Sequence, residues 1–153
     1  MFTLLSIRFA LRVIMWRKCM TDFDLKLCDV QGRLFVLSVM HGYGSEKFIK
    51  IFMQSETAKA LDSSYNCKQC FGEEYLFDEV IEMAGDIFKE NDKVYPSECI
   101  YWIGYIYRYW HYHTNESSKE IYKQASAKVM KQNYARLHMM TSEEVIEVLK
   151  GNN

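Results

Sequence analysis

Arg108-Tyr-Trp-His-Tyr-His113 gathers one guanidinium and two imidazoles within six residues. A guanidinium steadies phosphate charge and an imidazole moves protons near neutral pH, so Arg108 with His113 is a candidate for metal-free phosphodiester cleavage. The competing reading makes both residues the polar ends of an aromatic core helix. His111 and His113 resemble a metal pair only on paper. Two residues apart on a helix, they point roughly 200° away from each other. Cys67-x-x-Cys70 has the spacing of half a zinc site, yet no second ligand pair exists to complete it. Cys28, Cys99 or a histidine would have to supply the missing ligands. No metal is expected.

The other reactive side chains make no complete constellation. Glu73-Glu74, Glu79-x-x-Glu82 and Glu143-Glu144 are paired carboxylates, but helical spacing turns most of them away from the apolar stripes and into solvent. The chain contains no GxSxG, no phosphate-cradling glycine loop and no HExxH. None of its cysteines sits in an activating context. No catalytic residue is therefore assigned outside the Arg108 and His113 alternative, and no cofactor is expected. Lys119, Lys123, Lys128, Lys131 and Arg136 make the C-terminal third locally basic. Glu116 and Glu120 dilute that patch, and no glycine turn suggests a helix-turn-helix, so nucleic acid is not the expected partner.

The elements that must carry these residues are helical. One Pro and seven Gly in 153 residues leave too few turn signals for many strands, which points to helices with short connections. The centre is Cys99–His113, where Ile103, Tyr107 and Trp110 share one helical face and Trp102, Ile106 and Tyr109 a neighbouring one. A helix apolar all round is normally enclosed by others. Its tyrosines need hydroxyl partners or a wet edge, so Tyr105, Arg108, Tyr109 and His111 are the candidate partner-binding residues.

Before the centre, Phe23, Leu27, Val30, Leu34 and Leu37 follow steps of four and three, predicting a helix from Phe23 to about His41. A hairpin turning at Gln31-Gly32 competes, because Leu34–Met40 is rich in strand formers. Ser45 opens a helix to about Leu61, with Phe48, Ile49, Phe52, Met53 and Ala60 inward. A further helix is predicted from Gly72 to Lys89, with Leu76, Phe77, Val80, Ile81, Ala84, Ile87 and Phe88 inward. Pro96 suits the first turn of the central helix. Ser117-Ser-Lys-Glu120 and Thr141-Ser-Glu-Glu144 are capping boxes, giving short helices at 118–125, 127–137 and 142–150. The expected fold is a single all-α domain, residues 20–150, of six or seven helices around a central aromatic helix.

Residues 1–19 are expected to be an N-terminal extension upstream of a natural start at Met20. Their apolar run is cut by Arg8 and Arg12 and is too short to span a bilayer. Residues 1–21 hold four basic groups and no acid. Removing those four from the nineteen Lys and Arg leaves fifteen against twenty acids. A mildly acidic body suits a partner with a basic surface. Five irregularly placed cysteines give no disulfide framework and suit reduced thiols in a cytoplasm.

Two resemblances add to this reading. Arg108 and His113 are spaced as in the R-x4-6-H motif of HEPN-type ribonucleases, although Tyr109 stands where that family usually carries a polar residue. That resemblance implies a metal-independent endoribonuclease acting across a homodimer. Tyr101-Trp-Ile-Gly-Tyr-Ile-Tyr-Arg-Tyr-Trp110, together with Ser117-Ser-Lys-Glu-Ile-Tyr122, resembles a group of small bacterial all-helical proteins encoded beside toxin-like genes. It covers roughly residues 20–150. It implies an antitoxin-like, neutralising protein that binds the product of the neighbouring gene. A Tyr-, Trp- and Arg-rich helix suits that role, since these residues are enriched at interface hot spots.

Overall fold

A computed structural model describes residues 19–64, 67–85 and 92–151. The expected N-terminal extension lies outside these residues as far as Lys18. Among the described residues there are eight α-helices, one short 3-10 turn and no strand. The all-α expectation is correct.

Thr21 starts the first helix, α1 (Asp22–Met40), as a reciprocal capping box: Asp24 N donates to Thr21 Oγ1 and Thr21 N to Asp24 Oδ2, each at 3.1 Å. The hairpin at Gln31-Gly32 does not form. Gly32 serves helix packing instead, because a Cβ there would lie 2.7 Å from the Tyr101 ring. The chain leaves α1 at His41 and Gly42, where φ is +76°.

The single helix expected from Ser45 to Leu61 is two helices, α2 (Ser45–Met53) and α3 (Glu56–Asp62). Ser55 makes the break. Its hydroxyl accepts from Ala58 N at 3.1 Å and donates to Phe52 O at 2.6 Å, so one side chain substitutes for the backbone ladder on both sides. The extra helix takes the total to eight. Phe48, Ile49, Phe52 and Met53 are buried as expected, and Ala60 is half-buried.

A 3-10 turn (Cys67–Cys70) leads to α4 (Glu73–Ala84), which ends before the expected Lys89. Gly85 stops it with φ 62° and ψ −142°, a region essentially restricted to glycine. Leu76, Phe77 and Val80 are buried, and Ile81 and Ala84 half-buried; Ile87 and Phe88 lie outside the described residues. The central helix, α5 (Ser97–Thr114), follows Pro96 and ends at Asn115 in the left-handed conformation. Then come α6 (Ser118–Gln124), α7 (Ala127–Leu137) and α8 (Ser142–Gly151), the first two opened by Ser117 and Ser126 as side-chain caps.

α1 and α5 form the most extensive helix pair. They run antiparallel, Gly32 meeting Tyr101 while Asp24 lies within electrostatic reach of Tyr112. Gly104 allows their backbones to touch: a Cβ there would sit 2.7 Å from Gln31 O and 3.0 Å from Gly32 Cα. Around this pair, Ile103, Tyr107 and Trp110 are at most 1% exposed, so the expected core face of the central helix is correct. No helix among the described residues is long and apolar enough to cross a membrane.

Candidate functional site

α5 presents two chemically different sides. On the inner one, Arg108 is 1% exposed. Its Nε donates to Gln31 Oε1 at 2.8 Å, one terminal nitrogen to Asp62 Oδ1 at 2.7 Å and the other to Ser118 Oγ at 3.3 Å. The partners are themselves tied. Gln31 Nε2 donates to Gly104 O at 3.0 Å, while Asp62 accepts from Ser118 N and Ser118 Oγ, both at 2.8 Å. One guanidinium thus joins α1, α3, α5 and α6. A buried charge needs such pairing, since an isolated ion in this environment is strongly penalised.

His111 continues the inner side. Its Nδ1 lies 2.7 Å from Glu116 O, a carbonyl that only accepts, so Nδ1 carries the proton. The same nitrogen is 3.7 Å from Asp62 Oδ1. Glu116 then accepts from Trp110 Nε1 at 2.7 Å, Lys150 Nζ at 2.6 Å and Gln124 Nε2 at 2.9 Å. Burial alone would raise its pKa. The hydrogen bonds from Lys150, Trp110, Gln124 and Thr114 outweigh burial and bring it down to about 2.

The outer side is an aromatic ladder. Tyr101, Tyr105, Tyr109 and His113 follow one another at four-residue steps with ring centroids 6.2, 6.3 and 6.2 Å apart. Tyr101, Tyr105 and His113 are half-buried and Tyr109 is 7% exposed. Carboxylates edge the ladder: Tyr101 donates to Asp29 Oδ1 at 2.7 Å, and Tyr109 donates to Glu143. Burial first, and then those carboxylates, push both phenols well above the ordinary tyrosine value, so they remain donors. Tyr105 lies between them, half-buried.

These two sides correct the expectation that Arg108 offers an exposed charge. The structure buries Arg108, Tyr109 and His111, and of the four candidate residues leaves only Tyr105 half-buried. Arg108 and His113 are not brought together within the protomer. Five residues apart, they point roughly 140° away from each other, with His113 beside Tyr109 and Arg108 engaged with Asp62. Cys67 and Cys70 are exposed, and no group of three or more metal-ligating side chains occurs among the described residues.

Gln31, Asp62, Ser118 and Glu116 were not predicted to surround the central helix. Nothing local marks them, because each acts across long sequence separations or through a loop carbonyl. Asp29 and Glu143 were likewise missed as edges of the ladder; only the four-residue recurrence of aromatic residues from Tyr101 to His113 signals that surface. Comparison of the chain with family models, curated proteins and solved structures gives no match, so no family is assigned.

Proposed function

We propose that this chain is a non-catalytic helical partner-binding protein, the antitoxin or regulatory member of a bacterial toxin–antitoxin-like pair. The observation that carries the reading is the ladder of Tyr101, Tyr105, Tyr109 and His113, half-buried at every step but Tyr109. A row of aromatic rings along one helix offers a large contact area at little conformational cost, and aromatic residues are enriched at interface hot spots. Asp29 and Glu143 at the edges, with the acidic excess beyond residue 21, favour a partner whose contact surface is basic. Cationic side chains also gain from lying over tyrosine faces. Tyr105 and His113 are the accessible contact residues in this reading; Arg108, Tyr109 and His111 hold the helix that presents them.

The test is co-purification with the product of the neighbouring gene. The Tyr105→Ala/His113→Ala double variant should keep its melting temperature and weaken the complex by roughly 30-fold, about 2 kcal/mol. A neighbour that neither binds nor loses activity in the presence of this protein would end the antitoxin reading. Cleavage of RNA by the purified protein, abolished by His113→Ala, would replace it with the ribonuclease alternative.

A further inference from the structure

Between α3 and α4 the chain makes one turn of 3-10 helix, Cys67-Lys-Gln-Cys70. In that conformation three residues complete a turn, rising roughly 2 Å each, so side chains three apart eclipse one another. The two Cα atoms are then roughly 6 Å apart, within the roughly 4.4–6.8 Å that a disulfide spans. Both cysteines are exposed. The residues between them face the protein: Lys68 pairs with Glu79 on α4, and Gln69 Nε2 donates to Leu61 O at 3.1 Å and Ser63 O at 2.7 Å. This anchoring holds the turn in the conformation that aligns the thiols.

The other cysteines differ. Cys28 and Cys99 are fully buried, and burial pushes the Cys28 thiol up to about 12 and raises that of Cys99. Cys19 is exposed but stands alone ahead of α1. Paired, accessible thiols occur only at the turn among the described residues.

We propose that Cys67 and Cys70 form a reversible dithiol–disulfide site, a redox modification that closes this turn and steadies the adjoining end of α3. The oxidant is a low-molecular-weight disulfide such as oxidised glutathione. One thiolate attacks a glutathione sulfur, the glutathione S–S bond breaks, and one glutathione leaves as thiolate. The second cysteine thiolate then attacks the protein-bound sulfur, forming the Cys67–Cys70 bond and releasing the second glutathione. The protein loses two electrons and two protons, and one glutathione disulfide becomes two thiols. Gln69 already bonds the carbonyls on either side of Asp62, the counter-ion of Arg108. A closed turn therefore restrains the peptide groups that position that carboxylate.

The experiment equilibrates the full chain with glutathione buffers of increasing oxidised fraction, followed by acid quenching, alkylation and peptide mapping. The expected result is a single two-electron transition in which the Cys67–Cys70 peptide loses two hydrogen atoms while Cys28 and Cys99 stay reduced. Amide hydrogen exchange at Leu61–Ser63 should slow several-fold in the oxidised form. Cys67→Ser and Cys70→Ser should each keep the melting temperature of the reduced protein and stop at a mixed glutathione disulfide. Separate glutathione adducts on both cysteines of the native chain, a disulfide linking two chains, or a turn still reduced when Cys19 has reacted would overturn the site. The bond with unchanged exchange at Leu61–Ser63 would overturn its effect on α3.

Discussion

The guanidinium of Arg108 lies 2.7 Å from the Asp62 carboxylate, with the arginine side chain 1% and the aspartate 12% exposed. An ion pair so enclosed contributes little net stability compared with a well-packed apolar pair, but removing one partner leaves an uncompensated charge. Arg108→Ala should therefore cost about 3–5 kcal/mol in urea denaturation. Asp62→Ala should cost a comparable amount, and the double variant much less than the sum. Additive losses would show that the two side chains act independently.

The contact between α1 and α5 makes its own prediction. A methyl group at Gly104 meets backbone, Gln31 O at 2.7 Å and Gly32 Cα at 3.0 Å, and backbone cannot swing aside. At Gly32 the obstacle is the Tyr101 ring, the far end of a side chain. Gly104→Ala should cost about 1–3 kcal/mol, and Gly32→Ala less. The order of the two melting temperatures checks this.

Two buried tyrosines of the central helix, five residues apart, should respond oppositely to loss of the hydroxyl. Tyr107 Oη donates to Ala125 O at 2.6 Å, while the buried Tyr112 hydroxyl has no hydrogen-bond partner among the described residues. Tyr107→Phe strands the Ala125 carbonyl and should lower stability by about 1 kcal/mol. Tyr112→Phe removes a desolvated, unpaired hydroxyl and should leave stability unchanged or raise it. Chemical denaturation of both variants separates the cases.

Acid should act through Glu116. Its folded pKa, about 2, lies below that of an unfolded carboxylate, so the folded state binds its proton later. The stabilisation is present above the unfolded value, roughly pH 4.3, and is lost as pH falls towards about 2. With allowance for its partly exposed side, this amounts to roughly 2 kcal/mol. Glu116→Gln should flatten the stability profile between about pH 5 and pH 2. An unchanged slope would remove Glu116 from acid unfolding.

Helix positions were legible wherever apolar residues recur at steps of three and four or a capping pair closes on itself, as at Ser117 and Glu120. The Gln54–Ser55 break was hidden because Ser55 lacks a Glu or Gln three residues on; Ala58 stands there, and only the backbone N–H is used. The candidate site was legible as an aromatic helix but not as two sides. Composition marks Arg108 as a charge, and a charge suggests a surface. Its partners lie 77 and 46 residues away, at Gln31 and Asp62, where no local pattern points to it.

Those separations set an order of events during synthesis. The inward face of α1, including Leu34 and Phe35, finds its main cover in α5, and Gln31 reaches Gly104 across 73 residues. At roughly 5–20 residues per second, about 4–15 s pass between translation of the first of these residues and of the second. Throughout that interval the apolar stripe of α1 lacks its main native cover, with only earlier-made contacts such as Phe35 on Phe48 and Phe52 in reach. The ribosome-bound intermediate should therefore be the form of this protein that most needs a chaperone, and slowing translation between Gln31 and Gly104 should increase aggregation of the nascent chain.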